Sequence, residues 1–250
     1  GWRTAAVVAG VGMWVIGLPL SMVIRWKPEH YGLLPDGELS VQKLPPNSEA
    51  TTTPLFIRKR EYTFRDAVKT RCFWLYAAAM IMPGLSTSAL FVHEMPFLLK
   101  AGIPVEAAAF VVTGTVLFSG LGRVGFGWLS DRFSKTLILC IAMASQSIGI
   151  MFFAGIHTLW HVVPFITLFS IGYGAAIPLK AALQAEYFGT VAFGTIQGVL
   201  FGIWTLGTVL GPVMAGMFFD LTGEYRTVFM IFGIASLSAI PLILASRPRE

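Results

Sequence analysis
The chain has 250 residues, of which 55% are hydrophobic and only 12% are charged, and its formal net charge is +5. A soluble domain carries about 25% charged residues to keep its surface wetted, so much of this chain faces lipid, as its mean hydropathy of +0.72 also requires. That composition excludes a disordered chain and a disulfide-stapled secreted domain. Cys72 and Cys140 both lie in apolar stretches without ligand spacing, so neither a metal site nor a cofactor is expected.

Stretches free of Asp, Glu, Lys and Arg run over 4–24, 72–93, 107–122, 136–179, 187–219 and 227–246. A helix that crosses a bilayer takes about 20 apolar residues. The first stretch is too long for a signal-peptide core and no small-residue cleavage site follows it, so it reads as a span. Gly1 in place of a start methionine suggests that the chain begins inside a larger product. The third stretch becomes long enough when extended through Arg123 to Trp128. The fourth holds two spans separated by the polar break from His157 to His161. The expected total is seven spans.

Seven spans alternate sides, and the loops then sort into two sets. The set 25–71, 123–135, 180–186 and 247–250 holds fifteen of the eighteen Lys and Arg residues, leaving Arg3, Lys100 and Arg226 for the other side. Cytoplasmic loops collect Lys and Arg. The first set is therefore expected in the cytoplasm together with the C-terminus, and the pI near 9.4 calls for no nucleic-acid partner. Within the long first loop, Val41 to Pro54 is rich in Pro, Ser and Thr and reads as a flexible linker. The segment 64–71 reads as a short surface helix with Thr63 as its N-cap.

Gly122, Gly127 and Asp131 recur as Gly211, Gly216 and Asp220, each 89 residues later and each set at the end of a span. Eighty-nine residues hold three spans and their loops. The spacing implies a three-plus-three repeat with one member inverted, a plan common among transporters.

The run Gly122-Arg123-Val124-Gly125-Phe126-Gly127-Trp128-Leu129-Ser130-Asp131-Arg132-Phe133-Ser134-Lys135 resembles the cytoplasmic loop motif between spans eight and nine of the major facilitator superfamily, with Ser134 where the family prefers Gly. Gly1-Trp2-Arg3-Thr4-Ala5, Pro28 to Gly37, Phe73-Trp74-Leu75, His93 to Leu98 and Tyr187-Phe188-Gly189 resemble the monocarboxylate and oxalate/formate carrier branch. The resemblance implies an all-α polytopic membrane protein, a six-helix bundle of the C-terminal half with one preceding helix. Its implied divisions are the last helix of the N-terminal half (1–24), a cytoplasmic linker (25–71), the bundle (72–246) and a tail (247–250). The N-terminal half would be a partner outside this chain. The location implied is the plasma or inner membrane.

The motif residues Gly127, Asp131, Arg132 and Lys135 would latch and release one transport conformation in such a carrier, with Asp131 accepting hydrogen bonds from a neighbouring helix N-terminus or arginine. Related organic-acid carriers pair an arginine at the position of Arg123 with the substrate carboxylate, and a guanidinium fork suits a carboxylate. Ser119 stands where animal monocarboxylate carriers have an aspartate, and 187–219 carries no lysine of the kind that dicarboxylate carriers add. One buried cation favours a monoanion. Tyr76, Tyr173, Gln197 and Trp204 are further candidates for the substrate cavity. His93 and Glu94 near the outer end of the second span could carry a proton. Lys180 and Gln184 share one face of their span. Gly194, Gly198 and Gly202 form a close-packing stripe.

These residues describe a carrier of a small organic anion, with or without a proton, working by alternating access. Within transport the alternative is efflux of a hydrophobic drug-like compound. Outside it, a seven-helix receptor would share the span count and sidedness. An enzyme is not expected, because the spans contain no metal cluster, nucleophile motif or paired carboxylates.

Overall fold
The computed structural model describes residues 1–23 and 61–247, and the chain divides into two units, 1–56 and 57–250. The proline-rich segment expected as a linker lies outside the described residues. The first unit contributes helix α1 (Trp2–Val23), 22 residues with no charge beyond Arg3. At 1.5 Å per residue that is about 33 Å, enough to cross the hydrocarbon core.

The second unit opens with the short helix α2 (Phe64–Val68), whose N-cap Thr63 accepts from the Asp66 amide. Thr63 also donates its hydroxyl to Asp66 Oδ2 at 2.6 Å, closing the box from both sides. A second threonine cap follows at once: Thr70 accepts from the Phe73 amide and starts α3 (Arg71–Lys100). The surface helix therefore ends earlier than the sequence suggested. Next come α4 (Val105–Arg132) and α5 (Lys135–Ala154). The following span is α6 (Leu159–Phe165), a π-helical segment (Ile166–Ser170) and α7 (Ile171–Phe188). Then follow α8 (Phe193–Thr222), α9 (Arg226–Leu237) and α10 (Ala239–Ala245), the last two forming one span bent at Ser238. The turn between α5 and α6 is 155–158, so the polar break expected from His157 to His161 supplies its second half while Leu159 to His161 already belong to α6. Gly102, Gly189 and Gly223 have φ of 81°, 79° and 72°, a region open to glycine and costly to other residues. Each turns the chain after a long helix.

The described residues hold seven helical stretches long and apolar enough to cross a membrane, and no strand. In the second unit the dominant packing joins α3 to α8, α4 to α7, and α5 to both α7 and α9. This pattern has a twofold logic. With α3–α5 as one triplet and α6–α10 as the other, the second member of each triplet packs on the first member of its counterpart. The 89-residue repeat marks the two equivalent contacts. A Cβ on Gly122 would strike the backbone of Ile171 on α7, and a Cβ on Gly211 would strike the backbone of Leu85 on α3. Lipid tails are as apolar as leucine, so helices in a bilayer associate by close packing of small residues and by hydroxyl bonds between them. Both devices appear. Ser86 and Ser236 lie 2.6 Å apart between α3 and α9, and the Ser86 hydroxyl also lies 3.0 Å from the Phe232 carbonyl.

Two apolar clusters fill opposite ends of this bundle. One gathers Phe73, Tyr76, Met80, Leu139, Leu183 and Phe188 around the start of α3. The other gathers Phe97, Phe153, Phe165, Phe169 and Phe229 around its end. Helices α3 and α5 bury 61% of their most apolar window, whereas α4 buries 28% and α8 buries 22%. The last two therefore keep a broad face uncovered.

Candidate functional site
A cavity of about 280 Å³ lies among α3, α5, α7 and α8. Its walls follow helical arithmetic. Tyr173, Ile177, Lys180 and Gln184 succeed one another at steps of three or four on α7, and Gln197, Leu200, Phe201 and Trp204 fall at i, i+3, i+4 and i+7 on α8. Side chains at such spacing share one face. Helix α3 adds Tyr76, Met80 and Thr87, and α5 adds Gln146. The wall residues of α8, and Tyr76 and Met80 of α3, fall in the first half of each helix with Thr87 just past the middle of α3, and those of α7 extend into its second half. The cavity thus sits toward the bundle end that carries Arg65, Lys69, Arg71, Arg132 and Lys135.

Several polar groups are already engaged. The Tyr76 hydroxyl donates to the Lys180 carbonyl at 2.7 Å, tying α3 to α7 beside the cavity. Gln146 donates to the Thr87 hydroxyl at 2.5 Å, and Gln184 donates to the Phe193 carbonyl at 3.0 Å. Two groups are not. The Gln197 Oε1 is buried without a hydrogen-bond partner. Lys180 makes no ion pair among the described residues, where Lys135–Glu186 at 3.2 Å is the one salt bridge. The lining contains one cation and no carboxylate. The Trp204 indole forms part of the wall, and Gly84 makes room for it: a Cβ there would lie 2.8 Å from the ring.

Four of the residues singled out from sequence, Tyr76, Tyr173, Gln197 and Trp204, meet in this cavity. Arg123 does not line it and is exposed on α4. At 1.5 Å per residue it lies about 13 Å from the end of its helix, and Lys180 lies about 12 Å from the end of α7. The two cations share a depth but occupy different faces. Lys180, Gln184, Gln146 and Thr87 were the polar wall residues that sequence reasoning did not place there. The usable signal was the shared face of Lys180 and Gln184, two helical turns on from Tyr173.

The motif residues gather at the basic end. Asp131 is exposed. The Arg132 guanidinium lies over the Trp128 ring at 4.0 Å. Lys135 pairs with Glu186 and so joins the start of α5 to the end of α7. A Cβ on Gly127 would meet nothing within 4 Å. At the same end, the carboxylate of Glu61 accepts from the amides of Thr190 and Val191 at 2.8 and 3.1 Å, binding the α7–α8 turn.

His93 and Glu94 sit at the other end and differ sharply. His93 Nε2 lies 3.0 Å from the Pro212 carbonyl, which can only accept, so Nε2 donates and Nδ1 accepts from the Tyr225 hydroxyl at 3.2 Å. Both ring nitrogens are thus occupied, linking α3 to α8 and to the residue before α9. Glu94 is 1% exposed. Its Oε1 accepts from the Thr115 hydroxyl at 2.8 Å, and its Oε2 is buried without a partner.

A bundle of two inverted helical triplets around a polar cavity, embedded among apolar spans, is the architecture of a membrane transporter. Residues 94–250 match the family model described as Major Facilitator Superfamily. The chain belongs to that superfamily, a family of transporters and not of enzymes or receptors. It is 24% identical to Monocarboxylate transporter 12-B of Danio rerio, with 98% of this chain and 54% of that protein aligned. It is 26% identical to Monocarboxylate transporter 12 of Xenopus laevis, over 94% of this chain and 53% of that protein. The chain thus spans about half the length of these relatives. Among solved structures, the POT family transporter PepTSo superposes with a TM-score of 0.60 at 19% identity, covering 72% of this chain and 40% of that one. The Escherichia coli fucose:proton symporter FucP gives 0.60 at 15% identity, covering 75% and 46%. These two likenesses concern the fold.

Proposed function
We propose that the chain supplies the C-terminal six-helix bundle, and the helix before it, of a secondary active carrier for a small organic anion of the monocarboxylate type. The observation that carries this reading is the composition of the cavity wall, one lysine and three glutamines with no carboxylate. A lone ammonium inside a membrane protein is expensive, and a substrate carboxylate would match it. A hydrophobic compound would leave it unmatched, which ranks efflux of such compounds second. The volume lies near the lower edge of the ~300–1,000 Å³ of small-molecule sites, in keeping with a small solute. The names of the two monocarboxylate transporters point the same way.

The basic end of the bundle is assigned to the cytoplasm by its excess of Lys and Arg, so the cavity belongs to the inner half of the membrane. Arg123, at matching depth on the uncovered part of α4, is assigned to the pathway that the other half of the carrier would complete, and Asp131 with Gly127 to the latch. Proton coupling, where it operates, is assigned to Glu94 and not to His93, because Glu94 keeps an oxygen without a partner while both His93 nitrogens are engaged.

The test is uptake by the full-length carrier in proteoliposomes. Saturable uptake of a labelled short monocarboxylate, competed by other monocarboxylates and not by their neutral amides, is expected. Transport of neutral hydrophobic compounds that no carboxylate inhibits would overturn the reading in favour of efflux.

A further inference from the structure
Three glutamine side chains face the cavity, and they are not equivalent. Gln146 and Gln184 each donate to a neighbour at 2.5 and 3.0 Å. Gln197 makes no such bond, and its Oε1 is buried without a partner. The same cavity is lined by Lys180, the one cation of the wall, with no ion pair among the described residues. Protein interiors rarely leave buried polar atoms unpaired, and each exception asks for a reason. One buried oxygen without a partner, on Gln197, and one cation without an ion pair among the described residues, in a single small cavity, suggest a ligand with two polar ends.

We propose that Lys180 and Gln197 form a two-point recognition site, in which Lys180 takes the substrate carboxylate and the Gln197 amide takes a hydroxyl or amino group carried beside it. This rests on the reading of the protein as an organic-anion carrier and narrows the substrate class to substituted monocarboxylates. An ammonium is a compact point charge that leaves the carboxylate free to rotate, so one point binds the ligand and the second orients it. The aromatic wall of Trp204 and Phe201 covers the carbon skeleton. A site built to hydrogen-bond a substrate hydroxyl rejects the analogue lacking it far better than an apolar pocket rejects an added methylene, because its own polar group is then left unpaired.

The probes are lactate and propionate, which share a three-carbon skeleton and differ by one hydroxyl. Labelled uptake of each is measured in proteoliposomes for the full-length carrier and for Gln197→Leu, Lys180→Met, Lys180→Arg and Arg123→Gln. The expected results are a lactate preference in kcat/KM of roughly tenfold or more in the unmodified carrier, and its collapse toward unity in Gln197→Leu with propionate uptake retained. Lys180→Met should lose both acids by about tenfold or more, and Lys180→Arg should keep most of the uptake, which separates lost charge from a lost fold. A preference that survives in Gln197→Leu, or its absence from the unmodified carrier, overturns the Gln197 assignment. Full activity in Lys180→Met alongside inactive Arg123→Gln transfers the carboxylate to Arg123 and overturns the Lys180 assignment. If neither acid is transported or competes, the anion reading itself fails, an outcome distinct from both.

Discussion
Gly84 and Trp204 set one wall of the cavity between them, and a single methyl group tests how firmly. In Gly84→Ala the new Cβ would sit 2.8 Å from the indole, and a Trp ring has no flexible end to give way. The ring should tilt into the cavity, raising KM several-fold at a cost of about 1–3 kcal/mol in stability, as is usual for overpacking. The stripe of Gly194, Gly198 and Gly202, expected to pack closely, is open within this chain, an added Cβ meeting nothing within 4 Å, so Gly198→Ala is the matched control and should leave the thermal stability of this chain unchanged. His93 and Glu94 separate in the same manner. His93→Phe removes two hydrogen bonds at about 1 kcal/mol each, so it should lower the melting temperature and leave the pH dependence of uptake alone. Glu94→Gln should abolish any proton-driven accumulation while preserving downhill exchange. If His93→Phe abolishes accumulation and Glu94→Gln does not, the proposed assignment is reversed.

Helix by helix, much of the plan could be read without coordinates. Charge-free stretches located the seven spans because a span is defined by composition, and polar breaks such as His157–His161 located a turn. The repeat at an offset of 89 anticipated the inverted triplets through one of its pairs, Gly122 and Gly211, which lie at close helix crossings, whereas Gly127 and Gly216 do not. The crossings themselves give a graded test. Gly122→Ala and Gly211→Ala push a Cβ into the backbone of a partner helix, and backbone cannot step aside as a side chain can. Each should cost about 1–3 kcal/mol or prevent folding. Gly127→Ala and Gly216→Ala should fold normally, because the first would meet nothing and the second only the His93 ring at 3.8 Å or beyond. Which face of each helix turns inward was harder to read. Tyr76, Tyr173, Gln197 and Trp204 stood out as amphipathic side chains within apolar runs. Lys180 was visible as a cation, but its bearing depends on which neighbours α7 packs against, a matter of long-range contact. Arg123 shows the same gap in reverse, its depth legible and its facing not. The π-helical turn at Ile166–Ser170 left no signal beyond Pro164. A Cβ on Gly149 would strike the backbone of Phe169, so α5 can approach that turn only because Gly149 lacks a side chain.

For the molecule as a whole, the uncovered faces of α4 and α8 matter most. Alternating access needs two bundles rocking about a shared site, and the described residues contain one. The purified 250-residue chain in liposomes should therefore show no saturable uptake, and robust uptake would overturn the assignment of this chain as one half of a carrier. The cavity also draws its walls from both triplets, α3 and α5 on one side and α7 and α8 on the other. A solute seated there acts as a splint across the internal twofold, so occupancy should register as resistance to heat even where nothing is carried across a membrane. A ligand at a hundred times its Kd stabilises by about 2.7 kcal/mol, a shift of a few degrees. The natural cargo of this protein can thus be sought with a thermometer, by melting the detergent-solubilised carrier against a panel of substituted acids, before any flux is measured.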